Sequence, residues 1–304
     1  MKELWVEKYR PTTLDGYVFK DNQQRELIEG WINQQSIPHL LFSGSAGIGK
    51  TTLAKIIFNM LNVNHLDILE INASRTNSID DVRDQIINFV QTYPFGDFKI
   101  VLLDEADYLS THAQAALRGV MEEYHSTSRF VLTCNYPNKI IPALHSRCQG
   151  VHFTRIDEIE FTARVATILM NESIEFDLDT LDTIVQGTYP DLRKCINNAQ
   201  MNSLDGVLKS SSGPKDTSTD YKIKMIELFK ARKISEARTL ICQNARPEEI
   251  PDVYRWLYDN ISIFGDIETQ EKAILLIKQG LVDHTLVIDP EINLSATLIR
   301  LSHL

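Results

Sequence analysis

Apolar residues along this chain fall into two alternating patterns and then settle into one. Leu40-Leu41-Phe42-Ser43 is a short continuous apolar run suited to a buried parallel strand, and Thr52 to Leu61 carries Leu53, Ile56, Ile57, Met60 and Leu61 at helical spacing. Ahead of them, residues 21–35 place Leu27, Ile28, Trp31 and Ile32 on one helical face. The alternation continues downstream. Asp67–Ile71 reads as a strand, Asp80–Thr92 as a helix with Val82, Ile86, Ile87, Phe89 and Val90 inward, and Lys99–Leu103 as a strand. Ser110–Tyr124 reads as a helix with an N-cap serine, Phe130–Cys134 as a strand, and a helical turn leads through Leu144 to a last strand, Gly150–Phe153. Strands alternating with helices predict an α/β domain with a parallel sheet flanked by helices, its site at the carboxyl ends of the strands.

From residue 156 the pattern becomes helical only. Glu158–Met170, Leu178–Gln186 and Leu192–Asn202 repeat the 3.6-residue period, as do stretches around 221–230, 234–244, 250–263, 267–280 and 292–303. Between the two sets, the Ser-, Thr-, Gly- and Pro-containing segment near 209–220 is the one linker-like stretch. The expected divisions are therefore 1–155, 156–208 and 221–304, joined by that linker. No internal repeat period is evident.

Composition changes this picture little. With 304 residues, 43% hydrophobic and 24% charged, the chain matches an ordinary globular protein of two or three domains. Neither a long apolar run nor a signal-peptide pattern is present, so neither membrane association nor export is expected and a cytoplasmic location is. Cys134, Cys148, Cys195 and Cys242 are far apart, which argues for free thiols rather than structural zinc. The net charge of −10 argues against a general nucleic-acid binder, but it is unevenly spread. Residues 156–208 hold ten acidic and three basic side chains, against seventeen and fifteen in residues 1–155, so a locally basic surface on the first domain is compatible with the total.

The candidate chemistry sits where strand meets helix. Gly44-Ser45-Ala46-Gly47-Ile48-Gly49-Lys50-Thr51 matches G-x-x-x-x-G-K-[ST], between an apolar strand and an amphipathic helix as that motif requires. Its glycines let backbone N–H groups close on an anion at a helix N-terminus, and Thr52 continues the first turn. Lys50 is placed to neutralise the β- and γ-phosphates of ATP, and the Thr51 hydroxyl to ligate Mg²⁺. Ile100–Leu103 delivers Asp104 and Glu105 to the same sheet edge: Asp104 for Mg²⁺, Glu105 as general base for an attacking water. Asn135 ends the next strand and either orients that water or only shapes the turn before Pro137. Arg147 is a surface charge or an arginine finger reaching a neighbouring subunit's nucleotide, and Arg193 is a phosphate sensor or a helix-face ion pair. Trp5-Val6-Glu7-Lys8-Tyr9-Arg10-Pro11 is an arm that packs on the domain or covers the nucleotide base.

Taken in order, Trp-Val-Glu-Lys-Tyr-Arg-Pro, the phosphate loop, Leu-Asp-Glu-Ala-Asp, Ala-Gln-Ala-Ala-Leu-Arg, Cys-Asn-Tyr-Pro-Asn-Lys-Ile-Ile, Ser-Arg-Cys and Asp-Leu-Arg-Lys carry a family resemblance. The chain resembles the small subunits of replication factor C, archaeal and tailed-phage forms included, which are AAA+ clamp-loader ATPases. The match covers residues 3–200; the remainder fits as an all-helical domain. The resemblance implies a helical lid at 156–208 and a collar at 221–304 that holds a pentamer of several loader subunits. It implies that Arg147 acts in trans, that Asn135 and Arg193 are the two sensors, and that Glu7, Lys8, Tyr9, Arg10 and Pro11 border the adenine.

The resemblance also implies two macromolecular partners. The tip at Tyr108, Leu109, Ser110 and Thr111 is expected to touch a sliding clamp. Gln114 and Arg118, four residues apart on one helix, are expected to couple the nucleotide site to primer–template DNA or to the next subunit. Arg75, Asn77, Ser78, Arg83 and Lys139 are the candidate DNA contacts, positioning the backbone without reading sequence. Many family members have a basic residue near the Asn77–Ser78 position; this chain has none there. Two other readings are a different AAA+ machine, such as a branch-migration helicase, and a non-catalytic nucleotide-binding adaptor. No winged-helix composition supports the first, and the intact Lys50, Thr51, Asp104, Glu105 and Arg147 oppose the second.

Overall fold

Five parallel strands, the central three of them buried, form the framework that carries the site. The computed structural model describes residues 3–75, 79–153, 156–203, 205–209, 220–245, 250–284 and 286–304. The chain divides into two compact units, Met1–Ser211 and Ser212–Leu304. In the first, a single helical turn α1 (Trp5–Lys8) and α2 (Asn22–Asn33) precede β1 (Leu40–Gly44) and α3 (Lys50–Met60). There follow β2 (Ile68–Asn72), α4 (Ile79–Val90), β3 (Lys99–Asp104), α5 (Thr111–Glu123), β4 (Ser128–Cys134), the short α6 (Pro142–His145) and β5 (Gln149–Phe153). The helices α7 (Glu158–Asn171), α8 (Leu178–Gln186) and α9 (Leu192–Met201) complete this unit.

The sheet is parallel throughout, in the order β2-β3-β4-β1-β5. Its side chains alternate between two cores, as the twofold period of a strand requires. Leu40, Phe42, Ile100, Leu102, Val131 and Val151 join a core built with α2, α3 and the α7–α9 helices. Leu41, Val101, Leu103, Phe130, Leu132 and Cys134 face the opposite core, with Ile86, Leu117 and Met121. Burial on both faces explains why these strands read as continuous apolar runs. Each fully buried side chain of this kind contributes roughly 1.5–3 kcal/mol.

Aspartate N-caps account for part of the acidic excess in 156–208. Asp157, Asp177 and Asp191 cap α7, α8 and α9, each accepting a backbone N–H from the first turn. The expected serine cap is also present, with Ser110 Oγ accepting the Ala113 N–H at 3.2 Å.

Several boundaries differ from expectation by a few residues, and three of them have a clear physical cause. The strand expected at Asp67–Ile71 begins one residue later, because Asp67 belongs to a 3-10 turn and its buried carboxylate accepts the N–H groups of Phe95 and Gly96 at 2.9 Å. The helix expected from Thr52 starts at Lys50, directly after left-handed Gly49. The stretch expected as one helix over 250–263 breaks at Asn260 into α12 and a separate 3-10 turn, Ile261–Phe264.

The second unit is helical among its described residues: α10 (Asp220–Lys230), α11 (Ile234–Asn244), α12 (Ile250–Asp259), α13 (Ile267–His284) and α14 (Pro290–Leu301). Its core gathers Met225, Phe229, Ile241, Val253, Leu257, Ile277, Leu294 and Leu298. Within it, Asn293 Nδ2 donates to the Tyr254 hydroxyl and the Gly280 carbonyl, both at 2.8 Å. No described helix is long and apolar enough to cross a membrane.

Candidate active site

Three adjacent strand ends and one glycine loop converge on a cleft of ≈ 540 Å³. Among its walls are Gly47, Gly49, Lys50, Thr51, Asp104, Glu105, Asn135 and Arg193. Because β3, β4 and β1 are consecutive neighbours, the sheet itself sets Asp104, Asn135 and the phosphate loop side by side. The volume is in the range of small-molecule and cofactor sites.

The loop has the backbone an anion cradle needs. Gly47 and Gly49 take φ of 74° and 90°, values that other residues adopt only with strain. Lys50 is buried, and its ammonium donates to Gly44 O at 2.8 Å, Ser45 O at 2.7 Å and Asn135 Oδ1 at 2.8 Å. All three donors are satisfied by neutral acceptors, which phosphate oxygens would outcompete. Burial pulls the Lys50 ammonium below its ordinary value, with Asp104 and Asp107 working in the opposite direction.

Thr51 and Asp104 face each other. The Thr51 hydroxyl donates to Asp104 Oδ1 at 2.6 Å, and Thr133 Oγ1 donates to the same oxygen at 2.5 Å. A hydroxyl and a carboxylate are the hard oxygen donors that suit Mg²⁺, which completes its shell with water and substrate phosphates. Glu105, one residue past β3, has φ 57°, and its N–H donates to Thr133 Oγ1 at 3.0 Å. Thr133 therefore holds the carboxylate of Asp104 and the backbone of Glu105. The buried Asp107 holds the following turn, accepting the N–H groups of Asn135 at 3.3 Å and Tyr136 at 3.2 Å. Neither Thr133 nor Asp107 was expected. The signal for Thr133 is a polar residue that follows the apolar run Phe130–Leu132, next to last in its strand.

Beyond the cleft lies a narrower recess of ≈ 70 Å³ whose walls are largely apolar, with Val6, Tyr9, Pro11, Tyr17, Leu192 and Ile196 among them. Of the five arm residues expected to border a base, Tyr9, Arg10 and Pro11 line this recess and Glu7 and Lys8 do not. Glu7 instead pairs with Arg10 at 2.7 Å. Lys8 Nζ donates to Glu172 at 2.6 Å, and the Tyr9 hydroxyl donates to the same carboxylate oxygen at 2.8 Å. These bonds, with Arg164 donating to Tyr9 O at 2.8 Å, tie the arm to α7. The buried Tyr17, also not expected, packs its ring against Gly49.

Elsewhere the expected residues separate. Arg147 is exposed, contacts Glu122, donates to Ala143 O at 2.9 Å and does not line its own chain's cleft. Gln114 does not share an accessible face with Arg118. It is 1% exposed, its amide donates to Leu109 O and Lys139 O at 3.0 Å, and its oxygen accepts the Ile141 N–H at 2.8 Å. Arg118 is exposed, as is Arg83. Arg75, expected on DNA, lines the cleft itself, and Asn77 and Ser78 lie outside the described residues. Lys139 stands 4.9 Å from the Tyr136 ring centroid and 5.9 Å from that of Tyr108. Leu109 packs into the core below this group, leaving Tyr108 at 61% exposure. A second aromatic pair, Tyr93 and Phe95, is 91% and 75% exposed on the turn that buried Asp67 anchors.

Residues 40–156 match the family described as "ATPase family associated with various cellular activities (AAA)". The chain is 40% identical over 202 residues to a replication factor C small subunit of Methanocella arvoryzae, covering 65% of this chain and 62% of that protein. To that of Methanococcus vannielii it is 41% identical over 204 residues, covering 66% and 64%. The chain thus spans just under two thirds of the length of these relatives. With the replication factor C small subunit of Methanococcus maripaludis strain C7, 33% identity over 321 residues covers 99% of both. Among solved structures, the RuvB Holliday junction branch migration motor of Thermotoga maritima superimposes with a TM-score of 0.58 at 16% identity, covering 73% of this chain and 79% of that one. At that identity the shared property is the AAA fold.

Proposed function

The chain belongs to the replication factor C small-subunit family of AAA ATPases, and from that premise we propose that it is the motor subunit of a clamp loader. ATP binding would draw subunits into a ring-shaped pentamer that opens a sliding clamp and holds it on primer–template DNA, and hydrolysis would release both. The observation that carries this reading is the convergence of Lys50, Thr51, Asp104, Glu105 and Asn135 on one cleft.

In the proposed mechanism, the loop amides and Lys50 hold the β- and γ-phosphates, the Lys50 ammonium exchanging its carbonyl acceptors for phosphate oxygens. Thr51 and Asp104 would hold Mg²⁺, which supplies charge neutralisation at the phosphates. Asn135 orients the attacking water, and Glu105 takes its proton. Arg193 contacts the γ-phosphate from α9. Arg147, which does not line its own cleft, completes the site of the adjacent subunit, so the isolated chain turns over slowly. Tyr9, Arg10 and Pro11 border the adenine.

The division into a nucleotide-binding domain at 1–155, a lid at 156–208 and an oligomerising collar at 221–304 belongs to the same proposal. So do the macromolecular contacts. Tyr108 at its tip, and the exposed Tyr93 and Phe95, offer apolar surface to a clamp, and Arg83, Arg118 and Lys139 offer charge to the DNA backbone. Buried Gln114 would act indirectly, through the backbone of the loop that carries Lys139. DNA binding of this kind weakens as salt rises.

The test is steady-state ATPase of the chain assembled with its partner subunit, with and without primed DNA and clamp. The expected result is strong stimulation only with both present, lost in an Arg147→Ala assembly that still binds ATP. A rate indifferent to the clamp but raised by branched DNA would move the assignment to branch migration. Normal turnover in the Arg147→Ala assembly would remove the trans finger.

A further inference from the structure

The lid helix α9 begins against the phosphate loop, where its N-cap Asp191 packs on Gly47. An ideal β-carbon on Gly47 would fall 1.8 Å from Asp191 Oδ1, 2.3 Å from Cγ and 2.7 Å from Oδ2. No side chain fits in that space, so Gly47 is constrained twice: by its φ of 74° and by the carboxyl group packed on its α-carbon. Asp191 lines neither the cleft nor the apolar recess. It approaches the loop from outside the space that phosphates would fill.

The same carboxylate starts the helix. Asp191 Oδ1 accepts the Lys194 N–H at 2.9 Å, which sets the direction in which α9 leaves the loop. Two residues on, Arg193 lines both the cleft and the recess, with Leu192 and Ile196 beside it on the recess wall. Arg193 is near enough that its charge disfavours the Lys50 ammonium. Two cations therefore share a cleft whose natural occupant is a polyanion. Where Arg193 sits relative to Lys50 depends on where α9 begins, and α9 begins at the Asp191–Gly47 contact.

We propose that Asp191 is a positioning residue that registers α9 on Gly47 and thereby places Arg193 at the γ-phosphate. This rests on the reading of Arg193 as the residue that touches that phosphate. Two properties of Asp191 can be separated. Serine keeps a capping oxygen but loses the two carboxylate oxygens that pack on Gly47, while asparagine keeps both the cap and the planar group against the loop and removes only the charge.

The experiment is equilibrium binding of ATP and of ADP to the full-length chain, comparing Asp191→Ser, Asp191→Asn, Arg193→Ala and the double variant Asp191→Ser/Arg193→Ala. Asp191→Ser is expected to weaken ATP about five- to tenfold while changing ADP less than about twofold, a coupling of the size contacting residues show. Asp191→Asn is expected to behave as the unmodified chain with both nucleotides. The double variant is expected to bind ATP no more weakly than Arg193→Ala alone, because Asp191 acts through that arginine. Additive losses in the double variant, or equal losses of ATP and ADP in Asp191→Ser, would reduce Asp191 to a helix cap and overturn the proposal. If Arg193→Ala weakens ATP and Asp191→Ser does not, the proposal falls and the role of Arg193 stands. If Arg193→Ala leaves ATP affinity unchanged, the reading beneath both fails.

Discussion

At the phosphate end of the cleft, the acids and Asn135 come from the ends of strands whose side chains are buried on both faces: Asp104 closes β3 and Asn135 follows β4. At the other end, the recess walls come from the arm, the phosphate loop and the α7–α9 region, and the arm is tied to α7 by the oxygen of Glu172 that Lys8 and Tyr9 share. A sheet neighbour cannot shift without breaking its ladder, whereas the arm is held by a handful of separate side-chain hydrogen bonds, to Glu172, Arg164 and Gln200. The difference separates two tasks. In the proposed reading, groups that act on phosphate in fixed geometry sit on the rigid element, and the base would be gripped by parts held through separate side-chain bonds.

That comparison makes the largest effects fall on the phosphate end. Lys50→Ala removes the one buried ammonium of the cleft and is expected to lower ATP affinity by about two orders of magnitude or more, the scale of truncating a buried charge partner. Equilibrium titration with ATP checks it. Binding within a few-fold of the unmodified chain would mean that the loop amides alone hold the phosphates. Next in size, Glu105→Gln should keep ATP affinity while the turnover of the assembled complex falls about 10²- to 10⁴-fold, as expected on losing a general base. Here the discriminating quantity is turnover at saturating ATP; near-normal turnover would assign the base elsewhere.

The two ends also differ in how much of them the sequence reveals. Lys50, Thr51, Asp104 and Glu105 are legible because strand-loop-helix order, glycine spacing and an acid at a strand end are local patterns. The parallel sheet follows from the alternation of elements, although its order, with β1 between β4 and β5, does not. Thr133 and Asp107 were missed because their roles exist only once β3 and β4 are paired. Glu172, 163 residues from Tyr9, belongs to a contact that no periodicity announces. Tyr17 and Asp191 press on glycines from outside, so what explains them is the missing β-carbon of another residue. The burial of Gln114 was hidden for a related reason. Its partners, Leu109, Lys139 and Ile141, are backbone groups brought together by the β3–α5 and β4–α6 turns.

At the recess end, Glu172→Ala removes the carboxylate that Lys8 and Tyr9 share and loosens the arm without touching any group that lines the cleft. The expected result is an ATP affinity lower by about two- to fivefold, in keeping with a partly exposed ion pair and one hydroxyl bond. Turnover at saturating ATP should not change. KM moves and kcat stays, the reverse of Glu105→Gln. A fall in kcat as large as the rise in KM would show that the arm reaches the phosphates and would erase the distinction between the two ends.

The smallest effect is expected at Tyr17, where ring and hydroxyl can be told apart. The ring lies 3.0 Å from where a Gly49 β-carbon would be and meets Phe19 edge-on at a centroid distance of 4.9 Å. The hydroxyl reaches Ile48 O and Gly49 O only at 3.4 Å, beyond the usual 2.5–3.0 Å for a hydroxyl donor. The Gly49 carbonyl already accepts the Leu53 N–H at 2.9 Å and is not orphaned when the hydroxyl is removed. Tyr17→Phe should therefore cost no more than about 0.5–1 kcal/mol of stability. Thermal denaturation and ATP titration measure the two consequences, and the expected change in affinity is less than about twofold. A larger loss of affinity with unchanged melting would mean that the hydroxyl turns from the loop carbonyls to the nucleotide, giving the recess end a polar contact of its own.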